Sequence, residues 1–192
     1  MPTRTHFPHS ATALLIIDVI NPFDFPGGAA FAERALPAAG MIDRLRTRAT
    51  LARVPVIYVN DNFGKWRSDM RALVTFCGRS GRRGARIVDR LKPRSTDYVV
   101  LKSTLSGFYQ TPLEAMLRLG GVRRLIVTGF ATDNCVLFTA ADAYMRDFRL
   151  VVPRDCVHAE TPEAQRRALR ILSRLLSADV RPSRQIRLSA SR

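Results

Sequence analysis

The sequence predicts a doubly wound α/β domain: three layers, with helices on both faces of a mostly parallel sheet of five or six strands. Two observations carry that expectation. The apolar runs Ala13-Leu14-Leu15-Ile16-Ile17, Val56-Ile57-Tyr58-Val59 and Leu125-Ile126-Val127-Thr128 lack polar alternation, as strands buried on both faces do. Each is followed by a stretch with helix-start signals or helical periodicity, and strands alternating with helices imply a covered parallel sheet. A chain of 192 residues suits one such domain. It is read as a single unit over 1–192, with an N-terminal tail over 1–11 and a basic C-terminal tail over 181–192.

Taken in order, the first strand ends at Asp18, and Asn21-Pro22-Phe23-Asp24-Phe25-Pro26-Gly27-Gly28 enforces a loop. A helical pattern follows from about Pro37 to Arg53, with Pro37 suited to a first helical position. The second strand closes on Asn60-Asp61-Asn62, and a helix is predicted around Asp69–Cys77. Ser80-Gly81-Arg82-Arg83-Gly84 reads as a turn, and Tyr98–Leu101 as a third strand ending at Lys102. Thr111-Pro112-Leu113-Glu114 and Glu160-Thr161-Pro162-Glu163 both carry a threonine cap with proline at the first position. The second of these opens a helix with Ala168, Leu172, Leu175 and Leu176 on one face. Arg149–Val152 makes a fifth strand, and a short sixth is placed near Val180.

Composition bounds the function. No apolar run reaches the ~18–20 residues of a membrane span, and the first ten residues lack a signal-type apolar core. A cytoplasmic protein without a membrane partner is expected. Three unevenly spaced cysteines, Cys77, Cys135 and Cys156, suit neither a disulfide framework nor a zinc site. With 31 basic against 16 acidic residues the net charge is +15, which raises nucleic-acid binding as a hypothesis. The excess is mostly arginine, gathered over 79–94 and in the last segment, with no DNA- or RNA-binding motif beside it. A solvated basic face is preferred, and a nucleic-acid partner is not expected.

The chemistry centres on Gly129-Phe130-Ala131-Thr132-Asp133-Asn134-Cys135-Val136. A strand, a sharp turn and a helix with a cysteine at its start make a thiol reactive, because free N–H groups and the macrodipole favour thiolate. A small buried hydrophobe is the competing reading of Cys135. In doubly wound sheets ligands bind beyond the carboxyl ends of the strands, where strand order reverses. Asp18, Lys102 and Cys135 all fall at such ends. Asp18 would serve as acid–base group, and Lys102 would lower the thiol pKa and hold the carboxylate. Separately, Asp18 reads as a turn cap and Lys102 as a loop residue; together they suit acyl transfer. His6 and His9 precede the first strand, and His158 reads as a rim residue rather than the base. Cys77 and Cys156 read as packing residues.

These segments, with Ser106-Gly107-Phe108-Tyr109-Gln110-Thr111-Pro112-Leu113 and Asp155-Cys156, resemble the isochorismatase-like cysteine hydrolases from about Ala11 to Val180. The resemblance implies a Rossmann-like fold and a catalytic triad of Asp18, Lys102 and Cys135. It also implies a cis peptide at Phe130-Ala131, with the backbone N–H groups of Ala131 and Cys135 as an oxyanion hole. Asn21, Phe23, Trp66 and Tyr109 fall where the family places substrate-binding residues, though aromatic packing explains the three rings equally well. Nicotinamidases of the family carry an Asp/His metal cluster after the second strand; here Asp61-Asn62-Phe63-Gly64-Lys65-Trp66-Arg67-Ser68-Asp69 has no histidine. No metal and no cofactor are therefore expected. Siderophore-pathway isochorismatases cleave a vinyl ether and typically lack the cysteine, so Cys135 favours C–N hydrolysis of a small carboxamide, carbamoyl or ureido substrate through a thioester. Vinyl-ether hydrolysis is the alternative within catalysis. A non-catalytic basic protein, nucleic-acid-associated or scaffolding, is the alternative outside it. The resemblance also implies a homodimer or homotetramer.

Overall fold

The computed structural model describes residues 7–64, 66–67 and 69–189, so His6 and Arg192 lie outside it. Six strands form one sheet: β1 (Thr12–Ile17), β2 (Val56–Asp61), β3 (Tyr98–Lys102), β4 (Arg124–Phe130), β5 (Arg149–Val151) and β6 (Val157–His158). Their order is β3-β2-β1-β4-β5, with β6 also on β4, and every pairing is parallel. The chain winds outward from β1 through β2 to β3, then returns to place β4 against the other side of β1. Strand order therefore reverses between β1 and β4, the crevice where such sheets bind ligands.

Helices cover both faces. On one side α1 (Gly28–Leu51), α2 (Met70–Cys77) and α3 (Ala85–Leu91) pack Ile42, Leu45, Leu73 and Ile87 against Leu14, Ile16 and Tyr58. On the other, α4 (Leu113–Leu119), α5 (Leu137–Tyr144) and α6 (Pro162–Arg174) pack Leu117, Ala140 and Leu172 against Leu15, Ile17 and Val59. Both faces of β1 are covered, so all six of its residues are buried, which is why its sequence shows no alternation.

The elements depart from the sequence expectations in four places. Helix α1 begins at Gly28, nine residues before the predicted start, and contains Pro37. Phe31, Ala32 and Ala35 already belong to its buried stripe, and their burial carries the helix through the proline. Gly27 opens it in the left-handed region (φ 77°), and a Cβ on Gly28 would lie 2.0 Å from the carbonyl oxygen of Phe23. The sixth strand is Val157–His158; near Val180 there is only a bridge between Val151 and Asp179. Leu175 is exposed where α6 ends at Arg174, whereas Leu176 just beyond is buried with Leu172 as expected. Thr111 takes the N–H of Leu113 but does not cap α4, whereas Thr161 caps α6 by accepting from Ala164 (3.1 Å).

Both predicted tails are pinned where they are described. Phe7 stacks on Tyr98, with ring centroids 4.8 Å apart, and the Ser10 N–H donates to Gly120. Near the other end the Asp155 carboxylate accepts from both the N–H and the hydroxyl of Ser183, while Arg48 donates to the carbonyls of Ser183 and Ile186.

Candidate active site

The C-terminal ends of β1, β2 and β3 deliver three charged side chains to one point. Asp18 follows β1 with φ 50°, its N–H still donating to Val59 on β2 (3.0 Å). This left-handed turn takes the chain out of the strand and leaves the carboxylate beside β2. There Oδ1 accepts the backbone N–H of Asp61 (2.6 Å) and Oδ2 pairs with Lys102 Nζ (2.8 Å). Lys102 is the last residue of β3, two strands from β1, and its side chain runs fully buried to that contact. Its ammonium also meets the Thr104 carbonyl (2.9 Å), Asp61 Oδ2 (3.5 Å) and Cys135 Sγ (3.5 Å).

Beyond β4 the chain turns sharply to bring Cys135 to the same point. Gly129 has φ 114°, and a Cβ there would sit 2.0 Å from the carbonyl oxygen of Ile17, so only glycine allows β4 to lie this close to β1. The Phe130–Ala131 peptide is cis. A wide turn over Thr132–Val136 follows, in which Asn134 and Val136 both donate to the Ala131 carbonyl (3.1 and 3.2 Å). The Thr132 hydroxyl ties the turn to Gln165 on α6 (2.7 Å). Cys135 is half-buried, and its thiol hydrogen-bonds to the Asp18 carboxylate.

Burial sets the electrostatics. It raises the Asp18 pKa above the usual carboxylate range, although the Lys102 charge and hydrogen bonds pull it back. Burial also works against the Lys102 ammonium, but the facing Asp18 carboxylate and thiol raise its pKa overall. The Cys135 thiol is pushed up to about 12, first by burial and then by the negative charge of Asp18, with Lys102 opposing both. This differs from the sequence expectation of a depressed thiol pKa. Lys102 does lower it, but Lys102 is shared among Asp18, Asp61 and the sulfur, and desolvation outweighs its charge. The resting site therefore holds a protonated thiol against an ion pair.

The thiol opens onto a cavity of ≈320 Å³ lined by Asp18, Asn21, Phe23, Phe25, Phe31, Phe130, Ala131, Asp133, Asn134, Cys135 and Glu160. Asn21 holds its own loop through an Oδ1 contact to the Phe23 N–H (2.7 Å). Trp66 and Tyr109, also named for the site from sequence, do not line this cavity and are 78% and 54% exposed. Trp66 sits in the β2–α2 connection and Tyr109 in the turn before α4, and both side chains are exposed.

His158 lies on β6 with its ring against Phe31, centroids 5.0 Å apart, and outside the lining. Burial, reinforced by the Arg34 charge, lowers its pKa and favours the neutral ring. His9 borders Gly120 and Gly121, next to the start of β1 and so at the far edge of the sheet. Neither histidine meets the thiol. Among the described residues no group of three or more His, Cys, Asp and Glu side chains gathers as a metal site.

Two residues at the site had no role assigned from sequence. Asp61 gives Lys102 its second carboxylate and Asp18 its N–H donor. Asn60 is fully buried, accepting from Ile20 N–H (3.1 Å) and donating to the Ile20 carbonyl (3.0 Å), which fixes the chain just after Asp18. Both stand in the motif Val56–Asp61, but a strand-end Asn-Asp pair carries no local mark of what it touches.

An isochorismatase domain model matches residues 12–183. The chain is 36% identical over 174 residues to the uncharacterised isochorismatase family protein YaaI of Bacillus subtilis, covering 91% of this chain and 95% of that one. It is 31% identical to the ureidoacrylate amidohydrolase RutB of Yersinia enterocolitica, covering 88% of this chain and 84% of the relative. Among solved structures, N-carbamoylsarcosine amidase of Thermoplasma acidophilum aligns with a TM-score of 0.67 at 29% identity, covering 91% of this chain and 98% of the other. The nicotinamidase PncA of Bacillus subtilis aligns at 0.69 and 25%, covering 89% and 99%. The chain belongs to the isochorismatase family.

Proposed function

We propose that the protein is a cysteine amidohydrolase, cleaving the C–N bond of a small carboxamide, carbamoyl or ureido substrate through a thioester on Cys135. The observation that carries this reading is the meeting of the Cys135 thiol, the Asp18 carboxylate and the Lys102 ammonium at one end of an open cavity. The names of relatives, an amidohydrolase of ureidoacrylate and an amidase of N-carbamoylsarcosine, point to the same bond type.

The thiol is protonated at rest, so the proton must leave as the sulfur attacks. Asp18, hydrogen-bonded to the thiol, takes it as general base while the C–S bond forms. Lys102 opposes the effect of burial and favours the ionised form of Asp18. The oxygen of the tetrahedral intermediate is held by the backbone N–H groups of Ala131 and Cys135, the electrostatic contribution that is usually largest. Asp18 then returns the proton to the departing nitrogen, which leaves as ammonia or amine. In the second half Asp18 accepts a proton from the attacking water and passes it to the sulfur, releasing acid and free thiol. Asp61 acts through Lys102, as a positioning residue.

No step of this route calls for a metal. Denaturing mass spectrometry of enzyme trapped with an amide or ureide panel should show an acyl adduct on Cys135. Absence of any adduct, together with full activity of Cys135→Ala, would overturn the reading.

A further inference from the structure

The cavity beside the thiol carries a charge opposite in sign to the rest of the molecule. The chain has 31 basic and 16 acidic residues, so a lining drawn at random would hold about two bases per acid. Among the described residues no lysine, arginine or histidine lines it, while Asp133 and Glu160 do, in addition to Asp18. Lys102 lies beneath the floor, with its ammonium committed to Asp18, Asp61 and the Thr104 carbonyl. Neither Asp133 nor Glu160 forms an ion pair or side-chain hydrogen bond among the described residues. The nearest arginine contact to Glu160, from Arg34, goes to its main-chain oxygen (3.1 Å). Glu160 Oε1 lies 3.6 Å from where a Cβ on Gly27 would stand, over the start of α1.

The remaining wall is aromatic. Phe23, Phe25, Phe31 and Phe130 form one cluster, with ring centroids 5.7 to 6.5 Å apart. Aromatic faces attract cations, and more so where water is thinned out. Two carboxylates and several phenyl rings lining one cavity suit a positive charge. An anionic group placed there would face Asp133 and Glu160, with no lysine, arginine or histidine among the described lining residues.

We infer that the preferred substrate is a small amide or ureide whose far end is cationic, a protonated amine held between Asp133, Glu160 and the phenyl wall. The inference rests on the amidohydrolase reading and assigns Asp133 and Glu160 to specificity. It gives the substrate a charge opposite to that of ureidoacrylate.

The test uses three amides of nearly equal size: 4-aminobutanamide (cationic), pentanamide (neutral) and succinamate (anionic). Their binding to the Cys135→Ala protein is followed by ligand-observed NMR, and their hydrolysis by the unaltered enzyme through ammonia release. The cation is expected to bind at least tenfold tighter than pentanamide, and succinamate weaker than both. The cation's advantage should shrink as salt is raised. Glu160→Gln and Asp133→Asn, each in the Cys135→Ala background, should bring the cation-to-neutral ratio toward one. Equal binding of all three, or a preference for succinamate, overturns the inference while leaving hydrolysis at Cys135 standing. Cation-selective binding without turnover or adduct for any amide keeps the specificity site and overturns the amidohydrolase reading.

Discussion

Replacing Lys102 with methionine removes the ammonium while keeping most of the buried side-chain volume. Asp18 and Lys102 are 2.8 Å apart, with side chains 6% and 0% exposed. At an effective dielectric near 20 their attraction is about 6 kcal/mol gross. Desolvation offsets part of it, and breaking such a pair by removing one partner costs about 3–5 kcal/mol. The orphaned Asp18, already raised above the ordinary carboxylate range by burial, answers by holding its proton more tightly. At 1.36 kcal/mol per pH unit the acid limb of the kcat/KM profile should move up by about two to four pH units. The base would then be largely protonated at neutral pH, and activity there should fall by about a hundredfold or more.

The unfolding free energy gives a second readout if activity is lost altogether. A carboxyl group whose folded pKa is raised contributes stability below its unfolded value, near 3.8, and loses it as pH rises through the folded value. Lys102→Met should therefore lie nearest the unaltered protein at low pH and fall increasingly behind it toward neutrality. A variant with an unmoved acid limb and a stability deficit that is flat across pH would refute the role of Lys102 as counter-ion to Asp18.

Three further predictions concern the turn that carries the nucleophile. Burial pushes the folded thiol of Cys135 up to about 12, above the ordinary thiol range near 9, so ionisation favours the unfolded chain between those values. Stability should drop as pH rises from 9 toward 12, and Cys135→Ala should lessen the drop; an identical profile in the two proteins would contradict a protonated resting thiol. By the same reasoning, alkylation of Cys135 by iodoacetamide should keep accelerating past pH 9 instead of levelling near neutrality. Gly129→Ala drives a Cβ into the Ile17 carbonyl at φ 114° and should cost about 3 kcal/mol or more, measured by urea denaturation. A loss below about 1 kcal/mol would mean β1 and β4 part more easily than their register implies.

Much of this molecule is legible in its sequence, because the relevant forces are local or periodic. The unbroken apolar runs of β1, β2 and β4 announce strands buried on both faces. The threonine before Pro162 announces the start of α6. The order of strand ends brings Asp18, Lys102 and Cys135 to the same edge of a doubly wound sheet before any contact is known. The tertiary structure decided what depends on distance and on exclusion of water. Pro37 lies inside α1 because Phe31, Ala32 and Ala35 find a buried partner face, which no local propensity encodes. Trp66 and Tyr109 stand exposed outside the cavity, while Phe25 and Phe31, unmarked in the sequence, form its wall.

The thiol shows the division most sharply. The sequence determined that a cysteine stands at a strand-to-helix turn, where the helix dipole and a lysine argue for thiolate. Burial, the facing carboxylate of Asp18 and the sharing of Lys102 with Asp61 reverse that balance. Desolvation is a property of the assembled site and of no residue within it.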